Sequence, residues 1–217
     1  GNQSQVNVKA GATLNLNPHT IGGGEGKSGK HNVAIAANKS GSKNDQVNVE
    51  VTLNINLQKT GTAKKMSGGI ELVPSSTVKV ANGGSLNITQ TGKLEGSAAP
   101  VNLETGAGIT VEDGGNFNIN ATGLDNSKGA LINTKGNVDL QAHSNFKITG
   151  DGTGKVAAVH MDGGKFTSDQ PQSFNIDLSA NPNAVAVENG TVDFTRVKIG
   201  ENGEPLGKAT VTYDNNG

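Results

Sequence analysis

The sequence predicts an all-β chain, a parallel β-helix with three short strands in each coil. The first observation behind this is a period. The triplets Leu86-Asn87-Ile88, Phe117-Asn118-Ile119, Phe146-Lys147-Ile148 and Phe174-Asn175-Ile176 begin 31, 29 and 28 residues apart, and Val197-Lys198-Ile199 follows after 23. Self-similarity at roughly 20–50 residues marks a solenoid, propeller or array. A propeller blade needs four longer antiparallel strands and a longer period, so the solenoid is the better fit. The second observation is composition. The 217 residues include 32 Gly and no Trp, with only 3% aromatic residues, and Asn is nearly as common as Gly. Gly and Asn tolerate the positive φ that tight turns demand. Regularly spaced apolar triplets also set the chain apart from a disordered Gly-rich one.

Two further registers precede the first within each repeat. One contains Val78-Lys79-Val80, Ile109-Thr110-Val111, Val138-Asp139-Leu140 and Val192-Asp193-Phe194. The other contains Ile70-Glu71-Leu72, Val101-Asn102-Leu103 and Val185-Ala186-Val187. Neighbouring side chains of a strand point to opposite faces, so the first and third residues of a triplet share one face. Phe117, Phe146 and Phe174 are therefore expected in one buried column. Asn87, Asn118 and Asn175, interrupted by Lys147, form an outward stripe that is the other candidate surface: its amides can bond sugar hydroxyls, and a structural ladder of amides bonding one another between coils is the favoured account. The corners VANGG (80–84), VEDGG (111–115), MDGGK (161–165) and VENGT (187–191) place Asn or Asp before Gly, as turns require. On this reading Asp113 and Asp162 hold equivalent turn positions. The stretch 157–171 matches the period least well, with Val159-His160-Met161 and Phe166 its only loose anchors.

The chain reads as one β-helix domain over 1–217. Residues 69–200 form the regular coils, at about 23–31 residues per repeat. Residues 1–68 are less regular and basic: Leu14-Asn15-Leu16 and Leu53-Asn54-Ile55 repeat the triplet, with polar loops IGGGEGKSGKHN (21–32) and NKSGSKND (38–45) between them. Residues 201–217 form a C-terminal edge or a cut end. With no Cys, disulfides and Cys-based zinc sites are excluded. No segment approaches the roughly 20 apolar residues of a membrane span, so no membrane insertion is expected. No signal peptide is visible, and a secreted chain of this kind is expected to be a mature fragment.

The net charge of −1 conceals a split. Residues 1–68 carry eight lysines against three acids, and residues 69–217 carry ten basic residues against sixteen acids. Lys27, Lys30, Lys39, Lys43, Lys59, Lys64 and Lys65 lie in loops or near strand ends. They are the candidate ligand-binding residues, an anion-binding rim whose ammonium groups meet carboxylates or sulfates along a glycan. Ordinary solubility is the competing account of the same lysines. Nucleic acid is not expected as a partner, because stacking aromatics are missing and the overall charge is near zero.

No catalytic set emerges. A glycosidase needs two positioned carboxylates. A lyase acting on uronic acids needs an acid cluster for calcium and a basic residue, yet Arg196 is the only arginine. His19, His31, His143 and His160 lack metal-ligand spacing, and solvent exposure is expected for all four. GGGEGKSGK (22–30) fails the phosphate-loop pattern, since Gly26-Lys27-Ser28 would need Gly where Ile21 stands. No enzyme activity, metal or cofactor is expected.

The phrase QSFNIDLSANPNAVAVENGTVDFTRVKI (172–199) resembles the pectate-lyase-like adhesive domains of lactobacillus surface adhesins, including serine-rich repeat adhesins. The GGSLNIT and GGNFNIN units extend the resemblance over roughly 70–200. It implies a right-handed parallel β-helix, exported to the bacterial cell wall surface within a larger anchored protein. It further implies binding to polysaccharides of host or plant origin, or to glycosylated host surfaces, without catalysis. The expected function is thus an adhesin domain for an acidic polysaccharide. A polysaccharide lyase or hydrolase, or a structural stalk, are the alternatives.

Overall fold

A computed structural model describes residues 5–17, 33–36, 45–58, 68–94, 99–125, 127–194, 198–200 and 210–214. Its described residues form strands, turns and bends, with no helix. The strands come in threes. The first coil contains β1 (Gln5–Val8), β2 (Thr13–Leu16) and β3 (Val33–Ala36), and the second β4 (Gln46–Val49), β5 (Thr52–Gln58) and β6 (Gly68–Leu72). Next come β7 (Thr77–Val80), β8 (Ser85–Thr91) and β9 (Val101–Leu103), then β10 (Gly108–Val111), β11 (Asn116–Thr122) and β12 (Lys128–Thr134). They are followed by β13 (Asn137–Leu140), β14 (Asn145–Asp151) and β15 (Lys155–Met161), then β16 (Lys165–Ser168), β17 (Ser173–Ala180) and β18 (Val185–Glu188). The chain closes with β19 (Thr191–Phe194), β20 (Lys198–Gly200) and β21 (Thr210–Asp214).

Strands β1 to β19 pair in parallel with their counterparts one coil away. The result is a β-solenoid with three sheets: β1-β4-β7-β10-β13-β16-β19-β20, β2-β5-β8-β11-β14-β17-β21, and β18-β15-β12-β9-β6-β3. They are called here the first, second and third sheets. A turn spans 31 residues between Asn87 and Asn118 and 28 between Asn145 and Ser173. The predicted fold class is therefore the observed one.

The triplet pattern explains the register. Parallel strands that slip by one residue would turn every apolar side chain outward, so the alternation pins each coil on the last. Leu53, Leu86, Phe117, Phe146 and Phe174 are partners in succession along the second sheet, and all five are fully buried. The phenylalanine column is thus as the spacing predicts. The outward stripe is also as expected: Asn54 Nδ2 donates to Asn15 Oδ1 at 2.9 Å, Asn87 to Asn54 at 3.0 Å and Asn118 to Asn87 at 3.0 Å. A shorter row runs beside it, with Ser173 Oγ donating to Asn145 and Asn145 Nδ2 to Asn116, at 2.8 and 3.1 Å.

Four readings of the sequence need correction. Residues 157–171 are regular coil: Phe166 lies on β16, in register with Val138 and Val192, and is buried. Val185-Ala186-Val187 is two residues out of step, because Val187, not Val185, partners Val159 in the row that includes Val101 and Ile132. Val197-Lys198-Ile199 is no fifth member of the phenylalanine row. Lys198 and Ile199 lie on β20, which turns back antiparallel to β19 in the first sheet. Finally, Asp113 and Asp162 are not equivalent. Asp113 follows β10 at the corner between the first and second sheets, whereas Asp162 follows β15 at the corner between the third and first. Both corners use Asp-Gly for a turn, so local sequence alone does not separate them. Each has its own row of positive-φ residues: Gly83, Gly114, His143 and Gln170 at one, Ser75, Gly106, Gly163 and Asn189 at the other.

Strand β21 pairs antiparallel with β17 and covers the edge of the second sheet. Asp177 of β17 ties this end together. Its carboxylate accepts from the Ser179 hydroxyl and backbone N–H and from Thr210 Oγ1 on β21. The Ser179 bonds, hydroxyl first, hold the Asp177 carboxyl below its ordinary range. Desolvation opposes them slightly, while Thr210 and the Lys147 charge add to the lowering. A depressed native pKa contributes stability above the unfolded-state pKa and loses it as pH falls through the native one. Compared with Asp177→Asn, the wild type should therefore have the higher denaturant midpoint at neutral pH, and the gap should close on acidification. A gap that stays constant into acid would exclude this role for Asp177.

Candidate functional site

The seven lysines Lys27, Lys30, Lys39, Lys43, Lys59, Lys64 and Lys65 lie outside the described residues, as do His19, His31, Arg196 and the 22–30 loop. The described surface is that of a three-sided solenoid, and it has a concavity on the third sheet. There the alternation that buries Val101, Ile132 and Val159 sends Asn102, Asn133 and His160 outward in one row, one per coil. The turns leaving the same strands carry Glu104, Thr105, Lys135 and Asp162. Row and turns line an open groove of about 590 Å³, with Pro74 at one end.

The groove is built of groups that give and take hydrogen bonds. Asn133 Nδ2 donates to Asn102 Oδ1 at 3.3 Å, and Asn102 Nδ2 to the Ala99 carbonyl at 3.3 Å. These bonds fix the amide planes and leave Asn133 further donor and acceptor capacity. His160 Nδ1 lies 2.8 Å from Glu188 Oε1. A carboxylate only accepts, so Nδ1 is the nitrogen that donates to it, and Nε2 faces away from that bond. Lys135 Nζ pairs with Asp162 Oδ2 at 3.2 Å across successive coils. Under the groove, Thr134 is buried and its hydroxyl donates to the Gly136 carbonyl at 2.8 Å, which holds the turn in shape.

Of the two described histidines, one differs from its expected exposure. His143 is exposed and pairs with Asp113 at 3.1 Å. His160 is half-buried in the groove, held by a carboxylate from the next coil. Sequence reasoning passed over the groove because its members come from four coils, each ordinary in its local setting. The one signal available was the register itself, which places Asn102, Asn133 and His160 at the same point of successive repeats.

Among the described residues no group of three or more His, Cys, Asp or Glu is arranged to hold a metal ion. What the groove offers is a row of amides, a hydroxyl, an imidazole and an ion pair, repeated at the coil spacing of about 4.8 Å. Such a row suits an extended polar ligand lying along the solenoid axis. Compared with known proteins, the chain matches no family model, no curated protein and no solved structure.

Proposed function

We propose that the chain is a carbohydrate-binding domain of a bacterial cell-surface adhesin, which holds an acidic polysaccharide or a glycosylated host surface without cleaving it. The observation that carries this reading is the open groove on the third sheet, lined by the amides of Asn102 and Asn133 on successive coils and by the Thr105 hydroxyl. Amides and hydroxyls bond sugar hydroxyls well, and a repeating protein row meets a repeating polymer at several points at once. The preference for acidic chains comes from the lysine surplus of residues 1–68.

The experiment measures binding of purified chain to polygalacturonate and to a neutral glycan across a salt series. Exposed charge contacts contribute about 0–1 kcal/mol each and are screened over about 8 Å at physiological ionic strength. Lys64→Ala/Lys65→Ala is therefore expected to weaken polygalacturonate binding about 3- to 10-fold at low salt. Asn133→Ala/His160→Ala should weaken it at every salt concentration. Polygalacturonate binding that neither variant changes would remove both sites. Sustained release of an ultraviolet-absorbing unsaturated product would replace the adhesin with a lyase.

A further inference from the structure

The three faces of the solenoid are not alike in charge. The first sheet presents Lys79 and Asp139 outward, and the third presents Glu71, His160 and Glu188. On β2, β5, β8 and β11 of the second sheet, every described outward side chain is Ser, Thr or Asn. The first lysine on this face is Lys147, on β14. A surface that only had to remain soluble would carry interspersed charges, as the other two faces do.

This face also lacks what other classes of partner need. Among its described residues, β2, β5, β8 and β11 offer no outward cation to an acidic polymer, a nucleic acid or an anionic lipid surface. Nor do they offer an outward aromatic or arginine anchor of the kind that dominates protein–protein binding. Its groups are hydroxyls and primary amides, and the amides are already fixed in place. Asn15, Asn54, Asn87 and Asn118 are joined by bonds of 2.9–3.0 Å. A second bond, Asn56 to Asn17 at 2.7 Å, runs alongside. An amide has two donor hydrogens and two acceptor lone pairs. Within the row, Asn54 and Asn87 each use one of each kind, leaving one N–H and one lone pair. That is the complement of a hydroxyl group, which both gives and takes a bond. The side chains need not be ordered on binding, so the entropic cost that weakens most polar surfaces is already met by the fold.

We infer that the outward face of the second sheet, from β2 to β11, is a second binding surface, which takes a neutral, hydroxyl-rich polysaccharide laid along the solenoid axis. Successive coils present equivalent groups about 4.8 Å apart, so one chain touches several coils. The surface is separate from the groove of the third sheet, and its binding does not depend on the acidic-glycan reading.

The test is retention of the purified chain on amorphous cellulose, mannan and amylose, at low and at high salt. One face variant is Asn54→Lys/Asn87→Lys; Lys147 shows that the fold accepts lysine in this row. A milder one is Thr91→Lys/Asn120→Lys, at two exposed positions. Wild type should be retained on at least one polymer regardless of salt, and each folded face variant should lose about tenfold or more of that affinity. Asn133→Ala/His160→Ala should leave neutral retention unchanged, and the face variants should keep their polygalacturonate binding. No retention on any of the three polymers, or retention that the face variants keep, overturns the inference. So does concentration-dependent dimerisation of wild type that the face variants abolish, since the face would then serve a second copy of the chain.

Discussion

Phe146→Ala should lower the unfolding free energy by about 3–5 kcal/mol, the range for a buried aromatic cut back to a methyl group. The upper part of that range is expected because of the side chain's position. Phe146 is fully buried, stacked on Phe174 with ring centroids 4.8 Å apart and an interplanar angle of 13°. It also meets Phe117 edge-on at 5.5 Å and Phe166 edge-on at 5.3 Å. Removing it takes one partner from each of three rings and opens a cavity between coils that are held by backbone bonds and cannot close inward. Asn118→Ala, one coil earlier and facing out, loses side-chain bonds at a half-exposed site and should cost only about 1 kcal/mol. Urea denaturation of both variants gives the comparison. Equal losses would mean that the amide row supports the fold as strongly as the aromatic core.

Gly136→Ala should be the most damaging of the glycine substitutions at the corner between the third and first sheets. The site lies directly against the previous coil. A Cβ there would fall on the Ala107 carbonyl oxygen and reach within 2.8 Å of the Glu104 carbonyl oxygen. Both are backbone atoms, and Ala107 O already accepts from Asn137 N at 2.9 Å. Neither can move without parting two coils, so a loss of about 1–3 kcal/mol or more is expected from overpacking. Gly163, at the corner one coil later, gives the contrast. It has φ +81° with open space around a Cβ, so alanine costs only its backbone strain, about 1–2 kcal/mol. Thermal unfolding of the pair separates a steric requirement from a conformational one, and a smaller loss at Gly136 than at Gly163 would refute the close approach.

The parts of the fold that sequence made legible are those where both inward positions of a triplet are apolar. Phe146-Lys147-Ile148 declares its two faces at sight. Strand β16 does not: its second inward residue is Ser168, buried with its hydroxyl donating to the Leu140 carbonyl at 3.2 Å. A satisfied inward serine looks like surface in a pattern of apolar and polar letters. Thr134 hides β12 in the same way, its hydroxyl bonded within its own turn. Strand β15 hides for the opposite reason, since Val156 to Val159 are all buried and no alternation remains to be read. The antiparallel return of β20 and β21 was not legible because a triplet has the same pattern in either direction. The groove was illegible for want of a local signature, as its floor is assembled by register from residues 27–31 positions apart.

The amide rows also have a direction. Asn48 donates to Asn7, Asn54 to Asn15, Asn118 to Asn87, Asn133 to Asn102 and Asn145 to Asn116. In each case the N–H points toward the N-terminal coils and the oxygen toward the C-terminal ones. The strands of a sheet largely cancel one another's dipoles, but side-chain amides aligned head to tail add theirs in series. The longest row ends with an oxygen at Asn118, and the next position in register is Lys147. That is the electrostatic logic of a cation at the carboxyl end of a helix, transposed to a column of side chains. The lysine that interrupts the asparagine stripe therefore terminates it. The partial positive ends of the rows point toward the N-terminal coils, so the fixed side-chain dipoles polarise the described sheets in one sense along the solenoid axis.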